Sequence, residues 1–170
     1  MSFNIELKAH CADLEAFEAK VKKLDHTFNG LDNQIDTFYT VPKGRLKLRE
    51  SSLYGNFLIP YLRPDNNGPK RSDYSLLPVS DVTATKRILE DMFRSQLIVK
   101  KIRKIYIFEN VRIHLDQVEG LGNFIEFEAV VENESEVNIN REKLDKLIKY
   151  YGVNEKDFIS SAYADLILTL

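Results

Sequence analysis

Val111-Arg112-Ile113-His114-Leu115-Asp116-Gln117-Val118-Glu119-Gly120-Leu121-Gly122-Asn123-Phe124-Ile125-Glu126-Phe127-Glu128-Ala129-Val130-Val131 contains two alternating runs around a short glycine-containing break. Successive side chains of a strand point to opposite faces. In the first run Arg112, His114 and Asp116 therefore oppose Ile113 and Leu115. In the second, Glu126 and Glu128 oppose Ile125 and Phe127. Two strands over 111–118 and 123–131 are expected, each with one apolar face and one charged face.

The same alternation recurs outward from this pair. Phe3 to Lys8 puts Asn4, Glu6 and Lys8 opposite Phe3, Ile5 and Leu7. Arg45, Lys47 and Arg49 oppose Leu46 and Leu48, after a strand over Gln34–Val41 and a Pro42-Lys43-Gly44 turn. Tyr54-Gly55-Asn56 turns the chain into Phe57–Arg63, on which Tyr61 and Arg63 share a face. Pro64 to Arg71 has loop composition, and a short strand is expected over Asp73–Leu77. Leu97–Phe108 reads as a further strand with Lys101 and Arg103 on one face.

Helices fall between and after these strands. Asp13 suits the N-cap of a helix carrying Leu14, Phe17, Val21 and Leu24 on one stripe. Ser80 or Asp81 caps a second, to about Arg94, with Val82, Ile88, Leu89 and Met92 expected inward. A third holds Leu144, Leu147, Ile148 and Tyr151 and stops at Gly152. A last one is expected to hold Phe158, Ile159, Ala162, Tyr163 and Leu166, and Phe17, Phe93, Tyr151 and Phe158 are assigned to core packing. The fold class is α+β, with a dominant antiparallel sheet that can close on itself.

Composition bounds the alternatives. With 170 residues, 44% hydrophobic and 29% charged, residues 1–170 suit one domain able to bury its own core. Cys11 is the only cysteine, which excludes a disulfide framework and a cysteine-cluster metal site. No apolar run approaches the ~20 residues that span a bilayer. The first residues have neither a basic n-region nor an apolar h-region, so no secretory signal is expected and the cytoplasm is the expected location. A net charge of −2 argues against a general nucleic-acid coat.

The charge is informative once resolved by strand. The polar faces carry eight basic groups, Lys8, Arg45, Lys47, Arg49, Arg63, Lys101, Arg103 and Arg112. They carry five acidic ones, Glu6, Asp36, Asp116, Glu126 and Glu128. Like charges in a row repel, so such a row faces water or meets a polyanion. Taken singly, Arg45-Lys47-Arg49 or Glu126 with Glu128 also suits a solvated strand face. Taken together, with helices covering the apolar faces, the strands would enclose a charged, solvent-filled tunnel. Converging Arg and Lys favour a multiply charged phosphate. The interleaved carboxylates suit Mg²⁺ or Mn²⁺ bridging to phosphate oxygens. His114 suits a polar network, a general base or a metal ligand, the network being preferred. Lys70-Arg71, in a Gly-Pro context, suits either a solvated tip or a lid closing on phosphates, the lid being preferred. No chemistry is assigned to Cys11.

Ordered blocks along the chain resemble the CYTH superfamily, the triphosphate tunnel metalloenzymes, which include class IV adenylate cyclases and thiamine triphosphatases. The blocks are Asn4-Ile5-Glu6-Leu7-Lys8, Gln34–Tyr39 with Gly44–Glu50, Tyr61-Leu62-Arg63-Pro64 with Gly68–Tyr74, Arg112–Asp116 through Gly120-Leu121-Gly122 to Phe124–Glu128, and Ser161–Leu166. The third and fourth are most similar to the class IV cyclase-like branch. The resemblance implies an eight-stranded antiparallel β-barrel tunnel with helices packed outside. It implies metal carboxylates at Glu6, Glu126 and Glu128, with Asp116 holding metal or steadying an arginine. Asn4 stands where the family's Glu-x-Glu-x-Lys hallmark has its first glutamate, so it offers a carbonyl oxygen and no charge.

The implied phosphate-binding set is Lys8, Arg45, Lys47, Arg49, Arg63, Lys101, Arg103 and Arg112, to which the lid reading adds Lys70 and Arg71. Lys8, Arg45 and Arg112 are the catalytic candidates. Mg²⁺ or Mn²⁺, often two ions, is the implied cofactor. The implied partner is a nucleoside triphosphate or polyphosphate, without nucleic acid or membrane, and a homodimer is expected. The leading expectation is cyclisation of ATP to cyclic AMP and pyrophosphate. The alternatives are hydrolysis of tripolyphosphate or thiamine triphosphate, and binding without turnover because of Asn4. A basic sheet for RNA is disfavoured, since carboxylates beside phosphates weaken binding.

Overall fold

The computed structural model describes residues 2–63 and 68–169, so Pro64–Asn67 of the expected lid loop lie outside the described residues. The chain runs β1 (Ser2–His10), α1 (Leu14–Val21), β2 (Thr27–Tyr39), β3 (Arg45–Ser51), β4 (Gly55–Leu62), β5 (Lys70–Tyr74), β6 (Leu77–Pro78), α2 (Val82–Phe93), β7 (Ser95–Phe108), β8 (Val111–Val118), β9 (Gly122–Val131), α3 (Val137–Tyr151), β10 (Phe158–Ile159) and α4 (Tyr163–Leu168). Eight strands close antiparallel in the order β1-β5-β4-β3-β2-β7-β8-β9, with β9 returning to β1. Among the described residues, the seam between β4 and β5 pairs at Tyr61–Tyr74 and Leu62–Asp73. Two short strands lie off this ring, β6 on β4 and β10 on the end of β1.

Alternation explains why the sheet closes with its charge inside. The outward apolar faces of β1, β8 and β9 are covered by α1 and α3. Ile5, Ile113, Phe127 and Leu144 are fully buried there with Phe17 and Tyr151. Each such side chain contributes about 1.5–3 kcal/mol of burial. A smaller layer sets Leu89, Val82 and Phe93 of α2 against Tyr39 and Leu48. The third apolar group, Phe38, Val99, Val118, Phe124, Tyr163 and Ala164, places α4 across one end of the barrel.

The expected caps are present. Asp13 accepts from the Ala16 amide at 2.9 Å and Asp81 from that of Ala84 at 2.8 Å, and α3 ends at Gly152 with φ +69°. Four features differ from expectation. β2 begins at Thr27, seven residues before Gln34, and is irregular between Phe28 and Gly30. β5 begins at Lys70 because it pairs with β1 from Glu6 onward. Phe158 and Ile159 form a strand on Ala9 and Lys8, and the last helix starts only at Tyr163. In α2, Ile88 and Met92 are exposed, because the line of contact with the sheet runs through Val82, Leu89 and Phe93. No helix among the described residues is long and apolar enough to cross a membrane.

Candidate functional site

The barrel encloses a cavity of about 490 Å³, within the range that takes small organic ligands. Among the described residues, seven cationic side chains line it against four carboxylates, leaving three positive charges in excess if His114 is neutral. They arrive from different strands because residues i and i+2 share a face. Lys8 comes from β1, Lys47 and Arg49 from β3, Lys101 and Arg103 from β7, Arg112 from β8, and Arg63 follows β4.

Each buried carboxylate organises part of this wall. Asp36 of β2, 1% exposed, takes Lys47 Nζ at 3.0 Å, Arg49 Nε at 2.7 Å and Lys101 Nζ at 3.1 Å. Asp116, fully buried, accepts two bonds of 2.6 Å from Arg103 and one of 2.7 Å from the Tyr163 hydroxyl. Glu126 meets Arg103 at 2.7 Å, His114 Nδ1 at 3.2 Å and Lys8 Nζ at 3.9 Å. Arg63 donates to Glu6 at 2.8 Å. Arg112 pairs with Glu128 at 2.9 Å, and Asn4 Nδ2 also donates to Glu128. Deeper in the wall, Asp32 accepts from Ser51, Gln34 and the Leu53 amide, which anchors the β3–β4 turn.

The ionisation pattern follows from burying several charges of both signs side by side. Burial, reinforced by neighbouring Arg49, pushes the Lys47 ammonium down to about 7. Burial lowers Lys101 to about 8 despite Asp36. Lys8 is lowered mainly by burial, partly offset by Glu126. Burial also opposes the charge on Glu126, but Arg103, Lys8 and His114 outweigh it and hold its carboxyl well below the usual range. Glu6 is raised, first by burial and then by repulsion from Glu126. Burial and Arg103 lower His114, whose Nδ1 lies 3.2 Å from Glu126 and whose Nε2 lies 3.7 Å from Glu128.

The donor set suits Mg²⁺ or Mn²⁺. Glu6 and Glu128 are cross-strand partners, Glu126 is next on the same face, and the buried Asn4 Oδ1 has no hydrogen-bond partner among the described residues. The repulsion that raises Glu6 is what a divalent cation relieves. No three acidic, histidine or cysteine side chains are gathered in ligating geometry among the described residues. Substrate oxygens would therefore complete the coordination.

The structure separates the remaining candidates. Arg45 shares the inward face of Lys47 and Arg49 but does not line the cavity; it pairs with Asp165 at 2.8 Å. Lys70 is buried with Nζ donating to the carbonyls of Ser160 and Ile159, beneath the C-terminal segment. Arg71 departs from the lid expectation. Its neighbour Lys70 takes the inward position of β5, so Arg71 points out, pairs with Asp73 and Glu134, and stacks 4.0 Å from the Phe3 ring. Asp116 stands in the arginine-steadying arrangement, behind Arg103.

Two contributors went unassigned in the sequence. Tyr163 and Asp165 sit in the C-terminal block but were read as ordinary helix. Tyr163 reaches the cavity, with Lys8 Nζ 3.9 Å above its ring.

The two ends of the cavity differ. One is closed by α4, with Phe38, Val99 and Tyr163 as its wall. The other is lined by Tyr54, Phe57, Tyr74, Leu76, Ile105 and Ile107, with Asn29 donating to the Tyr54 hydroxyl at its rim. Tyr54 and Leu76 are exposed, which marks this end as the mouth.

Comparison with known proteins agrees with this architecture. Residues 2–163 match the model of the CYTH domain. Adenylate cyclase CyaB of Aeromonas hydrophila is 23% identical over 96% of this chain and 88% of its own length. The PH1012 protein of Pyrococcus horikoshii superposes with a TM-score of 0.85 at 24% identity, over 98% of this chain and 99% of that one. HpAC1 of Hippeastrum, a candidate adenylyl cyclase described as having a dominant triphosphatase activity, superposes at 0.65 with 15% identity, over 99% and 94% of the two chains. An antiparallel eight-stranded barrel with its charge inside and a family match over nearly the whole length place this chain in the CYTH domain family.

Proposed function

We propose that the protein is a metal-dependent enzyme that takes an organic triphosphate into the barrel and, as its first reaction, converts ATP to cyclic AMP and pyrophosphate. One observation carries this reading. An enclosed cavity with an excess of Lys and Arg, beside the carboxylates of β1 and β9, leads to an aromatic and apolar mouth. The cationic stretch suits the phosphates and the mouth suits a base and ribose, whereas inorganic tripolyphosphate needs no apolar end.

In this arrangement Lys47, Arg49 and Lys101 hold the inner phosphates, and Arg63 and Arg112 lie towards the carboxylate wall. Bound at Glu6, Glu126 and Glu128, Mg²⁺ or Mn²⁺ would neutralise charge developing on phosphate oxygens. Cyclisation forms a bond from the ribose 3′-oxygen to the α-phosphorus, releases the 3′-hydroxyl proton to water or to the leaving pyrophosphate, and breaks the bond from the α-phosphorus to the bridging oxygen, which leaves with pyrophosphate. Rigid, buried arginines stabilise the leaving pyrophosphate because they need no reorganisation. Hydrolysis by attack of water on the terminal phosphorus is the second reading, motivated by the likeness to HpAC1.

The test is to incubate purified protein with ATP and Mg²⁺ or Mn²⁺ and identify products by mass. Cyclic AMP with pyrophosphate is expected. ADP with orthophosphate assigns hydrolysis instead. Tight binding without product, with turnover appearing only in Asn4→Glu, makes the native protein a binder.

A further inference from the structure

The C-terminal segment is held to the barrel largely by the side chains expected to hold phosphate. Asp165 Oδ1 pairs with Arg45 at 2.8 Å, while its Oδ2 accepts from the Ala162 amide at 2.9 Å. Tyr163 bonds Asp116, which in turn holds Arg103, and its ring lies under Lys8 and near Lys101 at 5.6 Å. Lys70 donates to two carbonyls of the same segment. Arg45 is the member of the Arg45-Lys47-Arg49 row that does not line the cavity, although strand geometry puts its Cα only about 6–7 Å from that of Lys47 on the same face. A carboxylate and a phosphate offer an arginine the same pair of acceptor oxygens.

We propose that Asp165 is an internal stand-in for a substrate phosphate, occupying Arg45 until a triphosphate displaces it. Arg45 then turns into the cavity as an added phosphate contact, and Asp165 keeps only its bond to Ala162. The pair is partly exposed, 20% for the arginine side chain and 36% for the aspartate, so the exchange is within reach of a bound anion. Asp165 thus sets affinity without touching substrate, and it couples an occupied cavity to a looser first turn of α4. The inference rests on the cavity being a triphosphate site.

The experiment titrates inorganic tripolyphosphate, in EDTA, into the full-length protein by calorimetry. Asp165→Asn removes the charge but keeps an oxygen for the Ala162 amide. It should bind about two- to fivefold more tightly than wild type, the range typical of an exposed ion pair. Arg45→Gln should weaken binding, and adding Asp165→Asn to it should change nothing further. Hydrogen exchange of amides 163–168 in wild type should speed up when tripolyphosphate binds, the reverse of ordinary ligand protection. If Asp165→Asn does not melt cooperatively, Asp165→Ser carries the same expectation.

Equal or weaker binding by these variants overturns the proposal. So does an equal gain in the Arg45→Gln background, which would make the effect one of bulk charge. Failure of wild type to bind at all overturns the triphosphate reading, and this inference with it.

Discussion

Asp36 illustrates how much one buried carboxylate does in this barrel. With Lys47, Arg49 and Lys101 all on it, Asp36→Asn would leave one buried and two half-buried cations facing one another. Breaking such a network costs about 3–5 kcal/mol. Urea unfolding should show that loss, and tripolyphosphate should restore part of it by supplying the missing negative charge. The lysines set a second expectation. Lys47 and Lys101 titrate near 7 and 8 in the folded chain, against an ordinary 10.5. Between those values and 10.5 the unfolded chain holds protons that the native chain lacks, so these lysines raise ligand-free stability as pH rises. Anion binding goes the other way. Tripolyphosphate affinity should fall from pH 6.5 to 8.5, with proton uptake on binding at pH 8, read from calorimetry in buffers of different ionisation heat. At this scale the inward residues were legible because strand parity is strict. Arg71 was misplaced because adjacent residues of a strand cannot both face inward, and the register of β5 is set by its partner β1.

Strands were easier to read than the pieces that join them. The runs over β8 and β9 combine strict alternation with glycine at the break, and their observed bounds, Val111–Val118 and Gly122–Val131, lie close to expectation. Phe158, Ile159, Ala162, Tyr163 and Leu166 fit a helical spacing, yet the first two form β10. The reason is non-local, since they complete the end of β1 at Ala9 and Lys8. Helix α3 offers a quantitative check. Gly152 ends it at φ +69° with open space where a Cβ would stand, so Gly152→Ala should cost about 1 kcal/mol from backbone conformation alone. A Tm lowered by a few degrees with unchanged tripolyphosphate affinity is the expected result. Phe127→Ala, under α1 and α3, should cost about 3–5 kcal/mol by opening a cavity in the main core.

At the scale of the molecule, closure was the part that charge alone could suggest. Basic and acidic rows on many strands suit a shared, solvent-filled interior, and the structure brings most of them to one cavity. Which end is shut was not legible, because it depends on α4 folding back across Phe38 and Val99. That asymmetry bears on the order of departure after reaction. In the proposed cyclisation, with the nucleoside at the mouth, the cyclic product would stand between pyrophosphate and bulk water. On that reading it leaves first, and pyrophosphate last. Steady-state kinetics should then show pyrophosphate competing with ATP, while cyclic AMP inhibits in a mixed or noncompetitive manner. A vessel with one door imposes a queue.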